Sequence, residues 1–295
     1  MGIGSRTHIA LFAANLIYAA NYTIAKGVMP DYIEPFGFIL IRVSSAVLLF
    51  WLFHKIFVPN AEKVEKRDFL KLAICGLFGI AINQLLFFKG LNITTPINAA
   101  IIMTSNPILV LLFAAFMIKE TITGKKLAGI VVGITGAVLL IVYGKDISFG
   151  STTFSGDLLI LINSTSYGIY LVLVKPLMVK YSPLTVIKWV FSFGFLYVLP
   201  FGFIEFTQID WKEMPLNIWV SVLFVVIAST FIAYSLNIYA LKHVSPVIVS
   251  YYIYLQPLLA TAFALFLGKD ELSLIKIVSA LFIFTGVYLV SQSKS

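Results

Sequence analysis

Apolar runs of about twenty residues, joined by short polar connections, leave this chain few ways to fold. That is the length a helix needs to cross the hydrocarbon core of a bilayer. Ten such runs lie at about 8–27, 36–57, 68–90, 96–118, 125–143, 157–179, 184–204, 216–240, 246–267 and 273–291. The longest connections, about 58–67, 144–156 and 205–215, carry Gly, Pro, Asn, Asp or Ser and are too short for an extramembrane domain. Of the 295 residues 60% are hydrophobic and 12% charged. That charged fraction is about half the usual share in a soluble domain. The expected fold is all-α and integral to the membrane, with ten transmembrane helices.

The N-terminal stretch MGIGSRTHIALFAANLIYAANYT resembles a signal peptide, but its apolar run continues to about Gly27, beyond a typical signal core. It reads as the first span. Cys75 is the single cysteine and lies inside an apolar run, so it forms no internal disulfide and belongs to no Cys/His metal pattern. The net charge of +8 follows the positive-inside rule and does not call for nucleic acid. With the N-terminus inside, the inner segments hold Arg6, Lys55, Lys63, Lys66, Arg67, Lys71, Lys119, Lys125, Lys126, Lys175, Lys180, Lys242 and Lys294. The outer segments hold Lys26, Lys89, Lys145, Lys212, Lys269 and Lys276. This bias places both termini in the cytoplasm, and the expected location is the cytoplasmic (plasma) membrane.

The chain also repeats itself. Residues 91–140 align with 241–290 without a gap, matching Leu91 to Leu241, Pro96 to Pro246, Pro107 to Pro257, Lys119 to Lys269, Thr135 to Thr285 and Gly136 to Gly286. Asn106 then faces Gln256, and Glu120 faces Asp270. Earlier spans match more weakly, through Tyr18 and Tyr167, Lys26 and Lys175, and Pro35 and Pro183. Two five-span halves are expected, at 1–146 and 147–295. Five is odd, so the second half enters the membrane from the opposite side. Inverted repeats mark transporters that alternate between two faces around a midplane site.

Ten spans, two five-helix repeats, a mid-span proline in spans four and nine, and an acid followed by Thr-Gly in spans five and ten resemble the drug/metabolite transporter superfamily. Each half is similar to an EamA domain. The resemblance covers nearly the whole chain and is stronger for fold than for substrate. It implies a basket of helices around a central cavity built mainly from spans 1, 3, 4, 6, 8 and 9, with spans 5 and 10 peripheral. It also implies export of amino acids or other small metabolites. Exchange of phosphorylated or nucleotide-linked solutes and multidrug efflux are the alternatives.

Two stretches, MTSNPILV at 103–110 and YLQPLLAT at 254–261, place a proline beside an amide in mid-span. Proline has no N–H, so Pro107 deprives the Met103 carbonyl of its helix partner, and Pro257 does the same to Ile253. In lipid such a carbonyl must find another donor or face a wet cavity. Pro107 and Pro257 are therefore expected to act as hinges, against the plainer reading of packed kinks.

Polar side chains inside spans either join helices or form a site. Asn15, Tyr18, Tyr22 and Lys26 form a stripe in span 1, and Asn163, Ser166, Tyr167 and Tyr170 share a face of span 6. The expected substrate-binding residues are Tyr18, Tyr22, Asn83, Gln84, Asn98, Ser105, Asn106, Tyr167, Tyr170, Tyr234, Asn237, Ser250, Tyr251, Tyr254 and Gln256. Such a lining suits an amphipathic solute with hydrogen-bonding ends. Arg42, inside span 2, has three open readings: a snorkelling cation, a structural ion pair, or a contact to a substrate carboxylate. Glu120 and Asp270 read as acids at helix N-termini. Gly129 and Gly133 form a GxxxG pattern that packs span 5 inside the chain or supports a dimer. A monomer or homodimer in the bilayer, acting on a small molecule, is expected.

All thirteen acids fall at span ends or in connections, and so do His8, His54 and His243. No cofactor, metal or catalytic group is expected, and a membrane enzyme lacks its acid/base set. A sensor or scaffold usually brings a soluble output domain, which the short connections exclude. A proton-coupled carrier usually carries a titratable group in its spans, so the expectation is uniport or exchange. Accumulation in proteoliposomes should be the same with and without a pH gradient, and uphill uptake driven by that gradient alone would overturn this.

Overall fold

The computed structural model describes residues 3–58, 62–118, 123–142, 152–244, 246–269 and 271–291. Among them every regular element is helical. The helices are α1 (Ile3–Lys26), α2 (Pro35–Phe57), α3 (Lys66–Gly76), α4 (Asn83–Ile93), α5 (Pro96–Met103), α6 (Asn106–Ile118) and α7 (Gly124–Val142). They continue as α8 (Thr152–Lys180), α9 (Pro183–Thr207), α10 (Leu216–Leu223), α11 (Ala233–His243), α12 (Pro246–Tyr251), α13 (Leu255–Phe266) and α14 (Leu274–Ser291). Six stretches are long and apolar enough to cross a membrane: Pro35–Phe57, Lys66–Ile93, Pro96–Met117, Thr153–Lys180, Pro183–Thr207 and Leu216–His243. Shorter apolar stretches occupy Leu127–Gly136, Tyr252–Phe266 and Leu274–Gly286.

The start of α2 shows how local sequence and tertiary contact combine. Pro35 occupies its first turn, where no N–H is needed. The next two N–H groups, of Phe36 and Gly37, donate to the Glu205 carboxylate on α9 at 2.6 and 2.8 Å. An acid from a neighbouring helix thus supplies the N-terminal acceptor that α2 lacks. At the other end of this pair, His54 of α2 meets Thr185 and Lys188 of α9. Lys180, closing α8, bridges Glu65 at 2.5 Å and Asp68 at 2.6 Å at the start of α3. Lys180, with Arg67, holds the Glu65 carboxyl below the usual carboxylate range.

Two spans contain wide π-helical turns, at Leu77–Ile82 between α3 and α4 and at Phe224–Ile232 between α10 and α11. In the second, the Thr230 hydroxyl donates to the Val225 carbonyl at 2.7 Å. Nothing in the apolar pattern announces these turns. Their effect is to rotate the residues beyond them, which is one way a helix re-aims side chains at a site.

Helix pairing is reciprocal. The pair α4 and α8 is matched by α11 and α1, and the pair α6 and α8 by α13 and α1. The pairs α2 with α9 and α7 with α14 each join equivalent helices of the two halves. Where α7 meets α14 the contact is glycine on glycine. A Cβ on Gly286 would lie 2.5 Å from the Gly129 carbonyl and 2.7 Å from the Gly133 Cα. The GxxxG pattern is used here within the chain, because only glycine allows backbones this close. Glu120 and Asp270, expected at helix N-termini, lie outside the described residues. Gly286→Ala should lower stability by roughly 1–3 kcal/mol, the usual cost of overpacking. A thermal-unfolding midpoint in detergent equal to that of the parent would contradict this packing.

Candidate functional site

Both mid-span breaks are present. In the first half α5 ends at Met103 and α6 begins at Asn106. Thr104 and Ser105 turn the chain between them. The Ile101 carbonyl accepts the Thr104 N–H at 3.0 Å and its hydroxyl at 2.5 Å. The Ile102 carbonyl accepts the Ser105 N–H at 3.0 Å and its hydroxyl at 2.7 Å. The residues at the break thus re-pair carbonyls that the interrupted helix leaves without their usual partners. In the second half a single 3₁₀ turn, Tyr252–Tyr254, separates α12 from α13. Pro107 and Pro257 sit in the first turn of the helix after each break.

Each break is also tied to the first helix of the opposite half. Asn106 donates to the Ser164 carbonyl of α8 at 2.7 Å. Gln256 donates to the Asn15 amide oxygen of α1 at 2.7 Å. The second tie is part of a chain whose direction is unambiguous. The Asn15 amide nitrogen donates to the Leu11 carbonyl at 2.8 Å, so the Asn15 oxygen must be the acceptor. Gln256 therefore presents its nitrogen there, and its oxygen accepts the Tyr22 hydroxyl at 2.8 Å.

A cavity with about 640 Å³ of atom-free space, its open mouth included, lies among α1, α2, α4, α8, α11 and α13. Of the expected binding residues, Tyr18 and Tyr22 from α1, Asn83 and Gln84 from α4, Tyr167 from α8, Tyr234 and Asn237 from α11, and Gln256 from α13 line it. Gln84 donates to the Tyr234 hydroxyl at 2.9 Å, and Asn237 to that of Tyr167 at 2.7 Å. The Tyr18 and Tyr234 rings meet edge to face, with centroids 6.1 Å apart.

The others lie elsewhere. Asn98 faces Asp157 at the start of α8, at 3.4 Å. Ser105 and Asn106 are buried at the break, and their side chains donate to the backbone carbonyls of Ile102 and Ser164. Tyr170 is buried, and its ring lies within 2.4 Å of where a Cβ on Gly79 would stand, so it packs on the first π turn. It also borders a smaller pocket beside Tyr167, Tyr234 and Asn237. Tyr254 packs beside Ile108, Leu111 and Ile130 and against the Phe284 ring, away from the cavity. Ser250 is buried outside the lining. The Tyr251 side chain lies outside the described residues.

Several lining residues were not among the expected ones: Asn15, Asn21, Arg42, Phe87, Phe88 and Asn163. Spacing carried a signal for some of them. Asn21 is three residues beyond Tyr18, and Phe87 and Phe88 are three and four beyond Gln84, on the same helical faces. Asn163 donates to the Asn83 carbonyl at 2.6 Å, which ties α8 to the first residue of α4.

A model of the EamA-like transporter family matches residues 5–142 and again residues 154–292. The chain belongs to the EamA-like transporter family. It is 26% identical to an uncharacterized transporter of Archaeoglobus fulgidus, over 99% of each chain. It is 24% identical to the uncharacterized transporter YyaM of Bacillus subtilis, over 95% of this chain and 92% of that one. One solved structure matches with a TM-score of 0.69 at 18% identity, over 98% of each chain, and carries the likeness of fold alone. As an EamA-like protein with several long apolar helices, the chain is an integral membrane protein of a transporter family.

The directional chain from Tyr22 through Gln256 to Asn15 holds α1 against α13, so Tyr22→Phe should cost about 0.5–1.5 kcal/mol, the net value of one buried hydrogen bond. Differential scanning of the purified variant would read this, and an unchanged midpoint would show that the tie contributes nothing.

Proposed function

We propose that this EamA-like protein is an alternating-access secondary carrier. It moves small amphipathic metabolites such as amino acids, in the export direction. In this reading ten spans form two inverted repeats, divided near residue 147, with both termini in the cytoplasm of a cell whose plasma membrane holds the protein. The two breaks before Pro107 and Pro257 are the hinges. The protein works as a monomer or homodimer in the bilayer.

The observation that carries the reading is the cavity itself. It lies between the halves and takes its lining from α1, α2, α4, α8, α11 and α13 together. A solute bound there touches both halves, so its binding energy is sensitive to how the halves sit against one another. That is the requirement for coupling occupancy to a change of face. The reciprocal ties, Asn106 to α8 and Gln256 to α1, link each break to the opposite half. A tilt at a break is therefore felt across the cavity.

Lys26 and Lys175 extend the same logic to the ends of the spans. Lys26 donates to the carbonyls of Leu91 at 2.8 Å, Asn92 at 3.1 Å and Thr94, at the end of α4. Lys175 donates to those of Leu241 at 2.5 Å and Val244 at 2.8 Å, at the end of α11. In the proposed topology the first clamp lies at the outer face and the second at the inner face, one for each half.

The test is counterflow in proteoliposomes with a panel of radiolabelled amino acids, nucleotides and cationic drugs. Saturable exchange of one class is expected, lowered at least about tenfold by Asn163→Ala in the cavity wall and changed little by Leu216→Ala, exposed on α10 away from the cavity and the breaks. A tenfold loss corresponds to about 1.4 kcal/mol of binding. Flux that does not saturate would identify a channel, and absence of flux for every solute would overturn the carrier reading.

A further inference from the structure

Arg42 is 3% exposed and is the one charged side chain among the described residues that line the central cavity. Its surroundings do not neutralise it. The Nε donates to the Thr230 hydroxyl at 2.8 Å and an Nη to the Ser229 hydroxyl at 3.4 Å. The Thr230 hydroxyl spends its own proton on the Val225 carbonyl, so it faces Arg42 as an acceptor. The guanidinium carbon stands 4.4 Å from the centre of the Phe88 ring.

Four buried or bonded carboxylates are engaged with other groups. Glu65 and Asp68 meet Lys180, Asp157 meets Thr94 and Asn98, and Glu205 caps α2. Among the described residues none pairs with Arg42. A guanidinium stays protonated and offers five N–H donors in a planar fork that matches a carboxylate. Buried without an anion, it is costly unless something brings one.

The opposite need is met on other walls of the same cavity. The side-chain carbonyl oxygens of Asn21, Gln84, Asn163 and Asn237 are buried without a hydrogen-bond partner among the described residues. For Asn163 the assignment is forced, because its nitrogen must donate to the Asn83 carbonyl. These are acceptors awaiting donors, and burying them unpaired is unfavourable.

Symmetry supplies a further point. Aligning Pro35 with Pro183 places Val190, fully buried, at the position equivalent to Arg42. The two repeats do not share a cation at this position: α9 carries its buried cation, Lys188, two residues earlier and against His54, whereas Arg42 stands on the cavity wall beside the second π turn.

We infer that Arg42 is the anion anchor of the cavity, and that the solute it takes carries one carboxylate together with hydrogen-bond donors for the opposing amide oxygens. This rests on the cavity being the solute site of the proposed carrier. A single guanidinium balances a single negative charge. A phosphate dianion would leave an excess charge in a low-dielectric chamber, so phosphorylated and nucleotide-linked solutes are disfavoured.

The experiment is ligand-dependent thermal stabilisation of the purified, full-length protein, which reads binding without requiring transport. The probes are L-phenylalanine, L-leucine and 3-phenylpropionate, the amides of all three, and phenyl phosphate. At least one acid should stabilise the parent, with its amide and phenyl phosphate at least about tenfold weaker, in keeping with a lost charge-assisted hydrogen bond. The acid-against-amide comparison needs no variant. Arg42→Gln should abolish the difference between acid and amide, and Arg42→Lys should restore part of it. Stabilisation by amides equal to that by acids, acid binding unchanged in Arg42→Gln, or no response to any acid would each overturn the assignment. Arg42-dependent acid binding without counterflow would leave the anchor standing and remove the carrier reading. Counterflow indifferent to the carboxylate would do the reverse.

Discussion

A helix interrupted inside hydrocarbon must find new partners for the backbone groups it frees, and the arrangement of this protein follows from how it does so. At the break between α5 and α6 the solution is local, since Thr104 and Ser105 return both N–H and hydroxyl to Ile101 and Ile102. At the ends of α4 and α11 the solution is tertiary, since lysines from α1 and α8 reach the terminal carbonyls. A cation at a helix C-terminus is favourable on two counts, through the hydrogen bond and through the dipole. Because the partners come from other helices, satisfying the backbone also fixes which helices are neighbours.

The polar groups of the interior divide into two kinds. Asn15, Tyr22 and Gln256 satisfy one another in a chain of fixed direction, and they hold α1 to α13. Asn21, Asn163 and Arg42 keep bonding capacity that neighbouring side chains do not absorb. The first kind makes a wall rigid. The second kind makes it a surface for a solute. Both kinds line the same cavity.

Much of the fold was legible in the sequence. Apolar run length, the mid-span prolines and the matching Thr-Gly pairs anticipated the helices, the breaks and the twofold match to the family model. The site was legible in part. Tyr18 and Tyr167 follow from stripes of polar residues on unbroken helix, whereas Gln84 and Asn237 were named for their polar side chains inside a span and reach the cavity from beyond the π turns. Asn106 and Tyr254 do not line it, and the reason is geometric. Each follows or ends a break, where the angular phase of the helix is reset, so residues on either side no longer share a face. The π turns have a similar effect, because their extra residue rotates what comes after.

The sequence by itself determined that this chain is a membrane protein of paired helical repeats, since hydrocarbon accepts only helices of a certain length and composition. It also determined where those helices break. Only the tertiary structure decided which polar atoms are spent on one another and which face the cavity. Composition cannot settle that, because one asparagine serves either purpose. Asn15 and Asn163 are both buried amides on first helices of their halves, and the difference lies in what stands within 3 Å of the second amide atom. For Asn15 it is Gln256 from a distant span, and for the Asn163 oxygen it is the cavity wall's open side.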